Sequence, residues 1–159
     1  MPRPARAYTL AALLLAAAPL FAQYGPIIDR AAAGDGVSIG ASIMLLGVAS
    51  GSLAPEAGLA DARATLSRLG FRLPRGEDEA PIRWGDFSYL LVQLFDLRGD
   101  LSYGLFPGPR SALRLLERRG LLAPNALPSR FLSGPDALLV LRRFEEGEKP
   151  AAAAKGAAK

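Results

Sequence analysis

Neither cysteine nor histidine occurs anywhere in this chain of 159 residues. Without thiols no disulfide can form, and no acylated cysteine can follow an export signal, so a lipoprotein anchor of that type is excluded. The missing imidazole and thiolate also remove the usual general base, the thiol nucleophile and the ordinary zinc ligands. Many hydrolases go with them, and neither a metal nor another cofactor is expected. Gly34-Asp35-Gly36 continues into neither a calcium loop nor a phosphate loop. Aromatic residues make up only 8% of the chain, so the few that fall in Gly- and Pro-rich connectors stand out.

Long apolar runs are scarce too. Tyr8 to Leu20, preceded by Arg3 and Arg6 and closed by Leu20-Phe21-Ala22, reads as a secretory signal over residues 1–22. This run of about 13 residues, with Pro19 near its end, is short of the roughly 20 that span a bilayer. No membrane span is expected after cleavage. The second apolar segment, Val37 to Ser50, has a transmembrane reading that its 14 residues argue against. An exported chain without disulfides must hold together by core burial alone, which the 137 residues after Ala22 suffice to do as one domain.

Charge of one sign is also sparse. Loss of Arg3 and Arg6 leaves 17 basic residues against 15 acidic ones, a net charge of +2. Arg114, Arg118 and Arg119 share an expected helix with Glu117, and Arg142 and Arg143 precede Glu145 and Glu146. Such interleaving fits solvated helix faces better than a nucleic-acid surface, which concentrates Lys and Arg on one side with aromatics among them. No nucleic-acid partner is expected. Residues 148–159, mostly Ala, Gly and Lys, read as a disordered tail.

What the chain does have is recurrence. Ser38-Ile-Gly-Ala-Ser-Ile-Met-Leu-Leu closes at Gly51, Gly85-Asp-Phe-Ser-Tyr-Leu-Leu-Val closes at Gly99, and Ser133-Gly-Pro-Asp-Ala-Leu-Leu-Val closes at Gly147. The closing glycines are 48 residues apart both times. A period of this size points to stacked supersecondary units around one core, and such arrays more often bind than catalyse. Between these segments lie two further helices, expected over Pro55 to Leu69 and Pro109 to Arg119, each opened by Pro and followed by Gly70 or Gly120. The loops after them share an order: Arg68-Leu69-Gly70-Phe71, Pro74, Arg83-Trp84, then Arg118-Arg119-Gly120-Leu121, Pro124, Arg130-Phe131. The expected class is all-α, an array of helix-loop-helix repeats with a period of about 48 around one core. Residues 23–36 form a lead-in and residues 37–147 the repeat domain.

Ser133-Gly134-Pro135-Asp136 has the form of a capping box, Ser accepting the Asp136 N–H and the Asp carboxylate returning to the Ser N–H. With the Pro-led helices and the period near 50, this resembles the S-layer homology repeat, whose Thr-Arg-Ala-Glu signature is itself a capping box. The chain is also similar to exported proteins of spirochaetes. The resemblance covers Ser38 to Gly147 and implies an exported helical unit bound to an anionic wall glycan, in a periplasm or cell envelope. The family's Thr maps to Ser38, Gly85 and Ser133, and its Arg to Ile39, Asp86 and Gly134, so no copy keeps the Arg. Displaced cations are therefore sought in Arg83 and Arg130, whose guanidinium groups can pair bidentately with carboxylate or phosphate. Their competing role is to cover the core with their alkyl stems.

Tyr103, Phe106 and Arg110, in the Gly-Pro connector and at its end, complete the candidate ligand-binding set, with the two aromatics expected to be exposed. The function this supports is non-catalytic binding of cell-wall polymer. The alternative is an interaction or structural role with another envelope protein. A third class, carboxylate-based glycan hydrolysis by groups such as Glu77, Asp78, Glu79, Asp86 and Asp96, needs a fixed pair in a cleft, and a solvated loop accounts for those residues better.

Overall fold

The structure, a computed structural model, describes residues 36–97, 101–122 and 126–144. The expected signal peptide, nearly all of the lead-in, Gly99, Gly147 and the tail lie outside the described residues. The chain is mainly helical, in line with the all-α class. The helices are α1 (Ile39–Ala49), α2 (Leu59–Arg68), α3 (Trp84–Leu94), α4 (Leu101–Leu105) and α5 (Pro109–Arg118), with α6 formed by helical residues 134–144. Among the described residues there is no strand, only two isolated antiparallel bridges, Ser38 with Pro81 and Arg83 with Phe131.

Local chemistry explains most helix ends. Ser38 is extended and its Oγ accepts the Ala41 N–H at 3.1 Å, capping α1. Pro109 opens α5 at its first position, where a missing N–H costs nothing. Gly70 and Gly120 adopt positive φ, 86° and 72°. Each is followed by a residue whose N–H reaches back to the last turn: Phe71 to Leu66 O and Leu121 to Leu116 O, both 3.0 Å. That is the glycine-terminated helix end expected at both sites. α2 begins one turn later than Pro55 suggested, because the Ala57 N–H closes a turn onto Ala54 O and Gly58 then leaves the backbone extended as N-cap. At α6 Ser133 Oγ accepts the Asp136 N–H at 3.3 Å and donates to Asp136 Oδ2 at 2.7 Å. The carboxylate, a methylene shorter than that of Glu, takes the hydroxyl instead of the Ser133 N–H expected from the capping box.

Three buried residues join the helical segments through their backbones. Ile82 N–H donates to Val37 O at 2.8 Å, Leu132 N–H to Ile82 O at 2.9 Å, and Val37 N–H to Leu132 O at 3.1 Å, a closed ring whose side chains are at most 1% exposed. Each ring residue lies just before the N-cap region of α1, α3 or α6. Next to the ring, residues 78–82 cover the start of α1: Ile39 and Gly40 N–H donate to Ala80 and Asp78 O, both at 2.9 Å. Residues 128–132 do the same for α3, where Trp84 and Gly85 N–H donate to Arg130 O at 2.9 Å and Pro128 O at 3.0 Å. These bonds satisfy donors that a helix start otherwise leaves open, which is why α3 begins at Trp84 with an arginine as N-cap and no side-chain cap.

That geometry corrects the expected alignment. The residue matching Ser38 and Ser133 ahead of α3 is Arg83 rather than Gly85, and Arg83 faces Phe131 across a bridge instead of being its neighbour's counterpart. α3 packs against α1 and, more extensively, α5, burying Phe87, Leu90 and Leu91 completely. A hydrophobic cluster runs from Val37 through Ile43, Leu66, Leu91 and Leu116 to Phe144, and the Phe95 and Phe144 rings meet at 4.5 Å. Burying each such side chain contributes about 1.5–3 kcal/mol. Leu139, matched to Leu91 by a 48-residue spacing, is 45% exposed.

Candidate anion-binding groove

A groove of about 810 Å³ opens between the first turn of α3, the first half of α5 and the turn at Pro128-Ser129. Gly85 lies close to two of its lining residues, Pro109 and Pro128. A Cβ there would lie 3.0 Å from Pro109 Cβ and 3.1 Å from Pro128 O, so only glycine lets α5 and the 128–132 segment approach α3 this closely. Arg83 enters from the N-cap of α3, Arg110 and Arg114 from α5, and Phe106 from the connector ahead of α5. Phe106 is 77% exposed.

The connector is held by Ser111, the third residue of α5. Its Oγ accepts the Gly108 N–H at 3.0 Å and lies 2.6 Å from Phe106 O, to which the hydroxyl donates. Gly108 has no side chain, so Ser111 supplies the return half of a cap alone, and the same hydroxyl fixes where Phe106 leaves the groove. On the opposite wall the Arg83 guanidinium lies 5.5 Å from the centroid of the Phe131 ring, a cation–π contact that orients it.

The electrostatics are one-sided. Arg110 and Arg114 are four residues apart on α5, a spacing that places like charges side by side and destabilises a helix by a few tenths of a kcal/mol. Among the described residues neither these two nor Arg83 is ion-paired, whereas Arg63 pairs with Asp78. Asp86 is the one carboxylate lining the groove. It occupies the first turn of α3, where a negative charge complements the helix dipole. Three cations against one anion leave a net charge of +2 facing the cavity, and the arrangement is suited to receive carboxylate or phosphate through charge-assisted hydrogen bonds.

Of the five residues expected at a ligand site, the groove unites Arg83, Phe106 and Arg110. Tyr103 is corrected: it is 7% exposed, belongs to the core and packs against Tyr89 at 6.4 Å. The connector expected to be irregular is helical from Leu101 to Leu105, and one side of that turn faces inward. Arg130 is exposed and adjoins the lining residue Ser129, but its established role is its carbonyl, which accepts the Trp84 N–H. Sequence reasoning placed Arg114 on a solvated face and gave Ser111 no role. The signal for Arg114 was its spacing of one turn from Arg110, and for Ser111 its place three residues after Gly108, the N-cap glycine.

Among the described residues no group of acidic side chains is arranged to hold a metal ion, and no helix is long and apolar enough to cross a membrane. No family model, no curated protein and no solved structure matches the chain.

Proposed function

We propose that this chain is an exported, non-catalytic binding module of the cell envelope, and that the groove between α3 and α5 holds an anionic wall polymer. The observation that carries the reading is the convergence of Arg83, Arg110 and Arg114 on one open cavity without carboxylate partners, beside an exposed aromatic. A sugar ring offers an apolar face to Phe106 while its acidic substituent reaches the guanidinium pair on α5. The closed ring of Val37, Ile82 and Leu132 supports the view that the chain is an array of like units around a shared core, the organisation expected of an S-layer homology-like module. In that ring the spacings are 45 and 50 residues, in place of a uniform 48. Two-carboxylate hydrolysis is disfavoured because Asp86 has no acidic partner among the lining residues.

The test is retention of the purified chain on wall sacculi over a salt series. Charge-assisted hydrogen bonds contribute about 1.5–3 kcal/mol each, so Arg110→Ala should weaken binding about ten- to a hundred-fold. Added salt should weaken it further, since the arginines are exposed. Absence of retention at every salt concentration would end the glycan reading. A second reading, docking of an envelope protein, is favoured by the exposure of Leu105, Phe106, Leu127 and Phe131, and predicts a specific crosslink through Phe106 in intact envelopes.

A further inference from the structure

The groove has a structural counterpart in the same chain, and the two are chemically opposite. Residues 58–72 and 76–82 correspond to 108–122 and 126–132 at a constant offset of 50: Gly58 and Gly108 are extended N-caps, Gly70 and Gly120 are left-handed, and Ala62 and Ala112 are both fully buried. At the same offset Asp78 and Pro128 accept the N–H groups of Gly40 and Gly85. The glycines correspond as well, since a Cβ on Gly40 would strike Leu59 and Asp78 as one on Gly85 would strike Pro109 and Pro128. Yet where the groove presents Arg83, Arg110 and Arg114, the counterpart surface presents Ser38, Ala60 and Ala64. Where the groove has Ser111, Pro128 and Ser129, the counterpart has Asp61, Asp78 and Glu79. The cation found there, Arg63, is already paired with Asp78, its Nε donating to Oδ1 at 2.7 Å.

We infer that the chain takes a carboxylate-bearing saccharide at the α3/α5 groove alone, one ligand per chain, and that the acidic counterpart between α1 and α2 rejects the same ligand. This deepens the proposed function and rests on it. The backbone arrangement is alike in both places; side-chain charge selects which one is used. The Arg110 and Arg114 guanidinium groups donate to the carboxylate, whereas Asp61 and Glu79 repel it and Asp78 neutralises the charge of Arg63.

The experiment is isothermal titration calorimetry of the full chain with trigalacturonate, with maltotriose as the neutral control. Wild type should bind one trigalacturonate and no maltotriose, and Arg110→Glu with Arg114→Glu should weaken binding at least a hundred-fold. Transplanting the cationic set, Ser38→Arg, Ala60→Arg and Ala64→Arg with Asp61→Ser, should raise the stoichiometry from one to two. Two sites in wild type, one site that survives charge reversal on α5, or a folded transplant that still binds one ligand would each overturn the inference while leaving anion binding intact. Failure of wild type to bind trigalacturonate or sacculi would instead overturn the proposed function. Should the transplant not fold by circular dichroism, amide chemical shifts of wild type decide. Movement at 83–86 and 108–114 supports the assignment, and movement at 58–64 and 78–79 refutes it.

Discussion

Leu91 and Leu139 offer a sharp comparison, because a uniform 48-residue period makes them equivalent and the structure does not. Leu91 is fully buried on α3, the helix that packs against both α1 and α5. Leu91→Ala removes its transfer free energy and leaves a cavity that packed helices fill only in part, at a cost of about 2–5 kcal/mol. Leu139 keeps 45% of its surface in water. Truncating it forfeits only part of a burial term of about 1.5–3 kcal/mol and encloses no void, so Leu139→Ala should cost no more than about 1 kcal/mol. Leu141, which packs partly against the core and stands 50 residues from Leu91, should fall between them. Urea unfolding followed by far-UV circular dichroism, with slopes checked for constancy, measures all three. At roughly 4 °C per kcal/mol for a domain of this size, Leu91→Ala should lower Tm by about 10 °C or more and Leu139→Ala by only a few degrees. Equal losses at Leu91 and Leu139 would refute the register read from the backbone ring.

Four further outcomes follow from individual contacts. Gly120→Ala forces a Cβ onto a φ of 72° and should cost about 1–2 kcal/mol, while open space around it rules out a steric contribution; thermal melts give the value. Ser111→Ala removes both bonds that hold the Phe106–Gly108 connector, so stability should fall by about 1 kcal/mol and Phe106 should become more mobile, which backbone relaxation reports. Phe131→Ala frees the Arg83 guanidinium from its ring; with a contact of about 0.5–1 kcal/mol lost, sacculus binding should weaken a few-fold while Tm changes little. Ser88 is fully buried with an Oγ that has no partner, so Ser88→Ala should be neutral or stabilising by about 1 kcal/mol, and a clear destabilisation would show that the hydroxyl is satisfied.

The parts of this architecture legible in the sequence were those governed by local rules. Ser38 as a cap, Pro109 at a helix start, and Gly70 and Gly120 at helix ends all follow from backbone chemistry within one turn. Of Leu59, Ala62, Leu66 and Leu69, which helical spacing places on one face, Ala62 and Leu66 are fully buried, whereas Leu69, at the C-cap of α2, is 59% exposed. What escaped was tertiary. Arg83 could not be recognised as the N-cap of α3, because its helix start is satisfied by carbonyls of residues 128 and 130, more than 40 residues away, and not by a side chain of its own. The same long-range bonds set Arg83 opposite Phe131, a relation that adjacent sequence positions hide. Tyr103 looked exposed because Gly104 and Pro107 follow it, yet one short helical turn was enough to direct its ring into the core. Arg83, Arg110 and Phe106 were chosen for chemical type, and their convergence was not visible, since the groove is assembled from three segments that no local pattern connects.

The central claim is that one cationic groove receives the ligand. A titration of the isotope-labelled full chain with trigalacturonate, followed by amide chemical shifts, tests it most directly. The account predicts saturable shifts confined to residues 83–86, 106–114 and 128–129, abolished by Arg110→Glu with Arg114→Glu. Shifts centred elsewhere on the surface, or a spectrum unchanged at saturating saccharide, would contradict it.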